Sequence, residues 1–264
     1  MPKVISSINN PLIKEVLRLQ RKSRERKKSG LFIIEGVREI NLAKKGNYKF
    51  STILYCPEIL DHNELINYQF DCECIQLSRE IYQKIAHRDS TEGIIAIAKS
   101  MNLTIDSISL ETNNPLILVA EAPEKPGNIG ALLRTADAAN VDMVLIANPK
   151  TDLYNPNIIR SSVGCVFTNK IVTGTTNEII KFLNKNNVAM FCAALTASKP
   201  YHNVNFTEPS AIVVGTEATG LSEEWLNSAS QNIIIPMQGQ IDSLNVSVSA
   251  SILIFEAKRQ RNFK

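Results

Sequence analysis

Five uninterrupted apolar runs in the second half of this 264-residue chain set the strongest limit on what it can fold into. They are Leu116-Ile117-Leu118-Val119-Ala120 and the runs at 143–147, 189–195, 211–214 and 233–235. A strand with one wet face alternates apolar and polar residues, so a run without alternation belongs to a strand covered on both faces. Helical patterns at about 129–140, 176–185, 222–230 and 244–262 fall between or after the runs. Strands alternating with helices predict an α/β domain built on a parallel sheet, with helices on its faces. In open sheets of this kind ligands bind beyond the carboxyl ends of the strands. The turns that follow the runs are therefore the place to look for chemistry.

The N-terminal part repeats the alternation on a smaller scale. Pro11 suits the first turn of a helix over about 10–28, with Leu12, Ile13, Val16, Leu17 and Leu19 as its apolar stripe. That segment becomes basic at Arg18, Arg21, Lys22, Arg24, Arg26, Lys27 and Lys28, against the single acid Glu25. Strands are expected at 31–34, 52–56, 72–77 and 94–98. A helix following Glu35 stops near Gly46, and another over about 78–86 has Ser78 as its N-cap. Ser, Thr, Asn and Asp dominate 100–114, and Asn113-Asn114-Pro115 is a turn signal. A boundary there gives a small α/β domain over 1–108 and a larger one over 109–264.

Net charge is only +3, so the basic character lies in the distribution of charge rather than its sum. No apolar run reaches the roughly 18 residues of a membrane-spanning helix, and Met1-Pro2-Lys3-Val4-Ile5 does not begin a signal peptide. The five cysteines, Cys56, Cys72, Cys74, Cys165 and Cys192, are odd in number and form no C-x-x-C pair. Cys72-Glu73-Cys74 reads as strand packing, and the three histidines lack ligand spacing. The expectation is a cytoplasmic protein with no metal, no disulfide framework and no membrane partner.

Three polar clusters follow the runs. The first is Glu121-Ala122-Pro123-Glu124-Lys125-Pro126-Gly127-Asn128, leading into a helix that carries Arg134. The second is Gly215-Thr216-Glu217-Ala218-Thr219-Gly220-Leu221, in which glycines allow close backbone approach. The third runs from Ile235 through Ser243-Leu244-Asn245. Read singly, each has a plain alternative: Asn128 and Ser243 as helix caps, Arg134 as a solvated helix residue, Glu217 in a tight turn near the start of the helix at 222–230, Asn245 as a first-turn helper and Leu244 as core. None is a G-x-G-x-x-G fingerprint or a phosphate loop ending in G-K-[ST], which argues against a dinucleotide-binding oxidoreductase.

Taken together and in order, the clusters carry a resemblance. Asn128-x-Gly130-Ala131-x-x-Arg134-Thr135-Ala136, then Gly215-x-Glu217-x-x-Gly220-Leu221, then Ile235-Pro236-Met237-x-Gly239-x-x-x-Ser243-Leu244-Asn245-Val246-Ser247 is similar to the SpoU (TrmH-type) RNA 2′-O-ribose methyltransferases of the SPOUT class. The resemblance covers about 115–264; Ser249 departs mildly from the pattern, since members often carry a small apolar residue there. The N-terminal domain resembles the RNA substrate-binding module attached to many members.

The resemblance implies a trefoil knot, an arrangement very rare among folds. It implies S-adenosyl-L-methionine held in a bent shape, lined here by Leu195, Thr196, Gly215, Ile235, Met237 and Leu244. It implies attack of a ribose 2′-hydroxyl on the sulfonium methyl group, with Arg134 as base or as stabiliser of the developing alkoxide. Asn128, Glu217, Ser243 and Asn245 would position Arg134, the ribose and the knot loops. It further implies a homodimer formed through the helices at about 129–140 and 244–262. Arg18, Arg21, Lys22, Arg24 and Arg26 then become the expected RNA contacts, with Lys258, Arg259, Arg261 and Lys264 adding charge at the C-terminus. The expected substrate is rRNA first and tRNA second. The alternative is a non-catalytic RNA-binding or ribosome-assembly factor on a methyltransferase scaffold.

Overall fold

The computed structural model describes residues 4–87, 92–105, 108–196, 198–216 and 218–263. The chain forms two compact units: Met1–Met101 with Asp152–Thr168, and Asn102–Thr151 with Asn169–Lys264. The sequence-based division at 108/109 is contiguous, whereas the first unit also takes in a segment from far along the chain.

In the first unit, β1 (Val4–Ile5), β2 (Leu31–Glu35), β3 (Phe50–Tyr55), β4 (Glu73–Leu77) and β5 (Ile94–Lys99) form one sheet in the order β1-β4-β3-β5-β2. β1, β4 and β3 run parallel, while β5 is antiparallel to both β3 and β2. The helices are α1 (Pro11–Arg21), α2 (Ser23–Ser29), α3 (Val37–Lys45), α4 (His62–Asn67) and α5 (Arg79–Ile85). Asn10 caps α1 by accepting from the Leu12 N–H, and Ser78 caps α5 by accepting from Ile81. α1 buries Ile13, Val16 and Leu19 in a core shared with Ile75, Leu77 and Ile97.

The helix expected over about 10–28 is two helices, because Lys22 takes extended dihedrals (φ −121°, ψ 111°). The break turns Arg26 back onto the end of α1. Its Nη1 donates to the carbonyl oxygens of Leu19 (2.6 Å) and Gln20 (3.3 Å), which lie in the last turn of α1. Its Nε donates to Asp152 Oδ2.

Asp152 belongs to the late segment, which holds α7 (Pro156–Ser161) and a single 3₁₀ turn at Cys165–Phe167. Tyr154 stacks on Phe32 with ring centroids 4.3 Å apart, and Phe167 meets Tyr48 edge-on at 5.0 Å. All four rings are buried. The late segment therefore completes the core of the first unit.

The second unit is a seven-stranded sheet of β6 (Leu116–Glu121), β7 (Met143–Ala147), β8 (Ile171–Gly174), β9 (Ala189–Ala193), β10 (Lys199–Pro200), β11 (Ser210–Val214) and β12 (Gln231–Ile234). The order is β10-β12-β9-β11-β6-β7-β8, and every neighbouring pair runs parallel. α6 (Pro126–Ala138), α8 (Thr176–Lys185), α9 (Glu223–Ser228) and α10 (Val246–Gln260) cover it. Ile117, Val119, Met143, Leu145, Met190, Cys192, Ala211 and Val213 pack with residues of α8 and α9. Their alternating neighbours Leu118, Val144, Ile146, Ile212 and Val214 are equally buried. They form the other face, where α6 and α10 pack together. Burial on both faces is why these strands carry no polar alternation.

At the amino ends of the central strands Arg261 donates to the carbonyls of Asn114 (2.9 Å), Phe206 (2.8 Å) and Pro115 (3.3 Å). Lys258 is also buried. These two C-terminal cations are therefore structural, and Lys264 lies outside the described residues.

Candidate active site

The order of the second sheet fixes where a ligand can sit. From β6 the chain moves outward to β7 and β8, while from β11 it moves the opposite way to β12, beyond β9. β6 and β11 are neighbours, so the crevice beyond their carboxyl ends is a topological switch point. A cavity of about 560 Å³ opens there, lined by Glu121, Asn128, Gly215, Thr216, Gly220 and Val246 among others.

Asn128 is the third residue of α6, whose N-cap is Lys125 with Pro126 following, so it is not the cap itself. Asn245 caps α10 by accepting the Ser247 N–H on its Oδ1 at 3.0 Å. The Asn245 Nδ2 donates to Asn128 Oδ1 at 3.1 Å, across 117 residues of sequence. Farther along the same seam Thr135 and Ser251 join their hydroxyls at 2.7 Å. Thr135 lies seven residues beyond Asn128, which returns it to the same face of α6. The Asn128–Asn245 bond thus joins the first and third clusters, and the Thr135–Ser251 contact adds a second polar link between α6 and α10.

The second cluster closes on itself. Thr216 and Gly220 exchange N–H···O=C bonds at 3.1 Å, and the Thr216 and Thr219 hydroxyls lie 2.8 Å apart. A Cβ on Gly215 would stand 2.2 Å from the Gly220 carbonyl carbon, so only glycine admits this closure. Gly220 takes φ +68°. Glu217, in the middle of this loop, lies outside the described residues.

Glu121 lines this cavity, and sequence reasoning gave it no role. Its position in β6 points it to the face of α8 and α9, at their N-termini. Its carboxylate accepts from the Ser222 N–H (2.8 Å), the Ser222 hydroxyl (2.8 Å) and the Thr176 hydroxyl (3.2 Å). Thr176 opens α8 and Ser222 is the N-cap of α9, immediately after the glycine loop. A buried carboxylate at two helix N-termini is favoured by their dipoles and by these donors. The one signal in the sequence was a lone acid ending an apolar strand. Burial, with the charge of Glu121 as a second cause, pushes the Cys192 thiol up to about 12. Next to Glu121, Ala122 takes φ +44°, which turns the chain into the cavity rim.

Of the expected cofactor residues, Gly215 lines this cavity, and Leu195, Thr196, Ile235, Met237 and Leu244 do not. They follow β9 and β12, on the other side of β11 from β6. Because the strands are parallel, Leu195, Gly215 and Ile235 all emerge at the same end. Leu195 is exposed and Ile235, Met237 and Leu244 are half-buried. Together they leave partly exposed apolar side chains beyond the carboxyl ends of β9 and β12.

Arg134 is exposed on α6, outside the cavity lining, and its guanidinium has no hydrogen-bond or ion-pair partner among the described residues. Ser243 is exposed before α10 and bonds the Asp242 carboxylate at 3.2 Å. In the first unit Arg18, Arg21, Lys22 and Arg24 are exposed. Arg26 is a correction to the expected RNA contacts: it is 5% exposed, and its donors serve α1 and Asp152. Among the described residues no group of three or more His, Cys, Asp or Glu side chains is placed to hold a metal ion. No helix among them is long and apolar enough to cross a membrane.

A switch-point site assembled from three loops defines a class. The model of the SpoU rRNA Methylase family matches residues 115–255, and that of the MRM3-like substrate binding domain matches residues 10–96. The chain belongs to the SpoU family. Over 97% of its length and 99% of the relative's, it is 28% identical to the 23S rRNA (guanosine(2553)-2'-O)-methyltransferase RlmP of Bacillus subtilis. The crystal structure of an RNA 2'-O ribose methyltransferase matches it with a TM-score of 0.84 at 38% identity, over 98% of this chain and 99% of that one. The fold is also that of an AdoMet-bound rRNA methyltransferase from Sinorhizobium meliloti, with a TM-score of 0.88 at 24% identity over 97% of each chain.

Proposed function

We propose that this protein transfers a methyl group from S-adenosylmethionine to the 2′-hydroxyl of a ribose in structured RNA, with rRNA as the first choice of substrate. The observation that carries the reading is the Asn245–Asn128 bond at 3.1 Å, which brings the first and third family motifs together on a cavity that Gly215 of the second also lines. The cofactor, when bound, supplies a methyl group on a sulfonium, whose leaving thioether is neutral.

The chain's residues do the rest. Leu195, Thr196, Gly215, Ile235, Met237 and Leu244 hold the cofactor at the ends of β9, β11 and β12. The target ribose enters from the β6 side, beside Asn128. Transfer would place the methyl group on the 2′-oxygen as the neutral thioether leaves, and the 2′-hydroxyl would release its proton to water. Arg134 donates hydrogen bonds and accepts none, so it stabilises the oxygen as negative charge develops there. Asn128, Asn245, Ser243 and Glu217 set the loops that fix this geometry, and Glu121 supports them through Ser222.

Three further expectations belong to this reading. The chain must return from β12 across β9 and β11 for α10 to pack on α6, which supports threading of its C-terminal segment into a knot. Val248 and Phe255 are exposed on α10, with Ile252 half-buried between them at helical spacing, which supports a homodimer through this helix. Five free cysteines fit a reducing cytoplasm.

The test uses labelled S-adenosylmethionine with total RNA and ribosomal subunits from a strain lacking the protein. Label in one RNA, at one position that resists alkaline cleavage, is the expected result. Transfer to neither naked RNA nor subunits would give the protein to the non-catalytic assembly reading.

A further inference from the structure

The first unit holds a second cavity, of about 680 Å³, within the roughly 300–1,000 Å³ typical of small-ligand sites. Its apolar surface comes from Leu17, Ala86, Pro156 and Val163, all half-buried, over the buried Ile33, Ile85 and Ile159. Its wall carries three guanidinium groups from three separate helices: Arg21 ends α1, Arg38 lies in the first turn of α3, and Arg160 lies on α7. None of the three has a carboxylate partner among the described residues; Arg160 donates to the neutral Asn157 Oδ1 at 2.8 Å. The carboxylates of the same cavity are Glu35, Glu39 and Glu92. Glu35 accepts the His87 N–H at 2.9 and 3.0 Å, and Glu92 accepts the Val37 N–H. Two of the three acids are thus held by backbone donors, while the arginines stay unneutralised.

An apolar slot walled by guanidinium groups without carboxylate partners among the described residues suits one chemical class in particular. A planar base covers the aliphatic floor, arginine planes stack on it or grip its phosphate, and a carboxylate such as Glu39 accepts from an exocyclic amino group. A phosphate alone would leave the apolar floor uncovered. A paired stretch of RNA keeps its bases stacked inside the helix and cannot fill the slot.

We propose that this cavity holds one unstacked nucleotide of the RNA substrate, a different nucleotide from the one methylated, with Arg38 and Arg160 on its phosphates. The proposal rests on the RNA-acting part of the function above. It adds Arg160, from a segment that follows the methyltransferase motif of α6 in sequence, to the RNA-recognition surface. Arg18, Lys22 and Arg24 then track the flanking backbone.

The test compares the full-length protein with its Arg38→Gln/Arg160→Gln variant on two labelled RNAs of equal length: a hairpin with an unpaired loop, and a blunt duplex. The double variant should bind the hairpin about tenfold or more weakly, as expected for two lost charge-assisted contacts. Its salt dependence should flatten by one to two charges, with duplex binding unchanged. The KM for RNA should rise while kcat stays the same. Equal losses on both probes, or no loss on either, overturn the cavity as a nucleotide site. Arg38 is exposed, so the single Arg38→Gln variant repeats the measurement should the double variant unfold early. The two readings fail separately. Wild-type protein that methylates RNA, with a variant that binds like wild type, removes the cavity proposal alone. Wild-type protein that prefers the hairpin but transfers no methyl group removes the enzymatic reading alone.

Discussion

Arg26 and Arg134 carry the same guanidinium into opposite settings, and their substitution should separate structure from catalysis. Arg134 is exposed and has no partner among the described residues, so Arg134→Ala should leave the unfolding free energy within about 0.5 kcal/mol of wild type. Methyl transfer should fall by about 10²–10³-fold or more, the usual cost of removing a donor aimed at a developing oxyanion. Thermal melts, cofactor titration and single-turnover transfer on the one variant would check this. Lost cofactor binding would instead make Arg134 part of the cofactor site. Arg26→Ala should behave the other way. It uncaps the last turn of α1 and leaves Asp152, itself 9% exposed, without its counter-charge. Breaking a buried pair by removing one partner costs about 3–5 kcal/mol. Urea denaturation reads that cost directly, and a loss under about 1 kcal/mol would mean that solvent replaces the arginine. Glu121 is the polar counterpart in the second unit. Glu121→Ala leaves the donors of Ser222 and Thr176 unmatched in a buried site, at about 1–3 kcal/mol. Because Ser222 adjoins the glycine loop, the residual activity should drop further than stability alone explains, and Glu121→Gln should recover part of it.

At the scale of elements, what the sequence made legible follows from burial. The runs at 116–120, 143–147 and 211–214 became β6, β7 and β11 within a residue or so, since strands covered on both faces leave no polar alternation. Helices with caps or a proline at their start were found for the same kind of reason. β1 and β10 are two residues each, too short for any period to register, and β8, α4 and α7, of four, six and six residues, also fell outside the predicted elements. The break at Lys22 was hidden because basic residues favour helix on both sides of it; tertiary use of Arg26 decides it. At the site, glycines and asparagines in order gave the motifs. Glu121 stayed unassigned because its donors arrive from 55 and 101 residues away. One local element is testable by pH alone. α8 begins with a capping box in which Thr175 and Glu178 bond reciprocally. The Thr175 N–H and hydroxyl hold the Glu178 carboxyl below its ordinary value. A depressed carboxylate contributes stability above its unfolded pKa, and that contribution is lost as pH falls through the folded value. Wild type should therefore exceed Glu178→Gln in melting temperature at pH 7, with the gap closing as pH falls through the lowered folded value. A gap independent of pH would show that the box acts through shape and not through charge.

The largest consequence concerns the molecule's divisibility. A contiguous domain over 1–108 would contain every strand of the first sheet, yet it would lack Asp152, Tyr154 and Phe167. Phe32 would lose both the stacked Tyr154 ring at 4.3 Å and the Phe167 ring at 6.0 Å. Tyr48, whose phenol is pushed far above its ordinary pKa by burial, would be opened to water. Arg26 would keep its carbonyl acceptors and lose its carboxylate. Each uncovered aromatic costs about 1.5–3 kcal/mol in transfer alone, each lost ring pair about 0.5–1.5 kcal/mol more, and the broken ion pair about 3–5 kcal/mol. The total is on the order of 10 kcal/mol, comparable with the whole stability of an ordinary domain. A polypeptide of residues 1–108 should therefore keep far-UV helix and strand signals but lose near-UV aromatic signals and a cooperative melt. Joining residues 152–168 to its C-terminus through a flexible linker should restore both. A cooperative transition in 1–108 alone, near that of the full chain, would show that the late segment only decorates the first unit. Restoration by the linked segment would establish that the first unit cannot fold until chain from beyond β7 has been made, so that the two units arrive as one product.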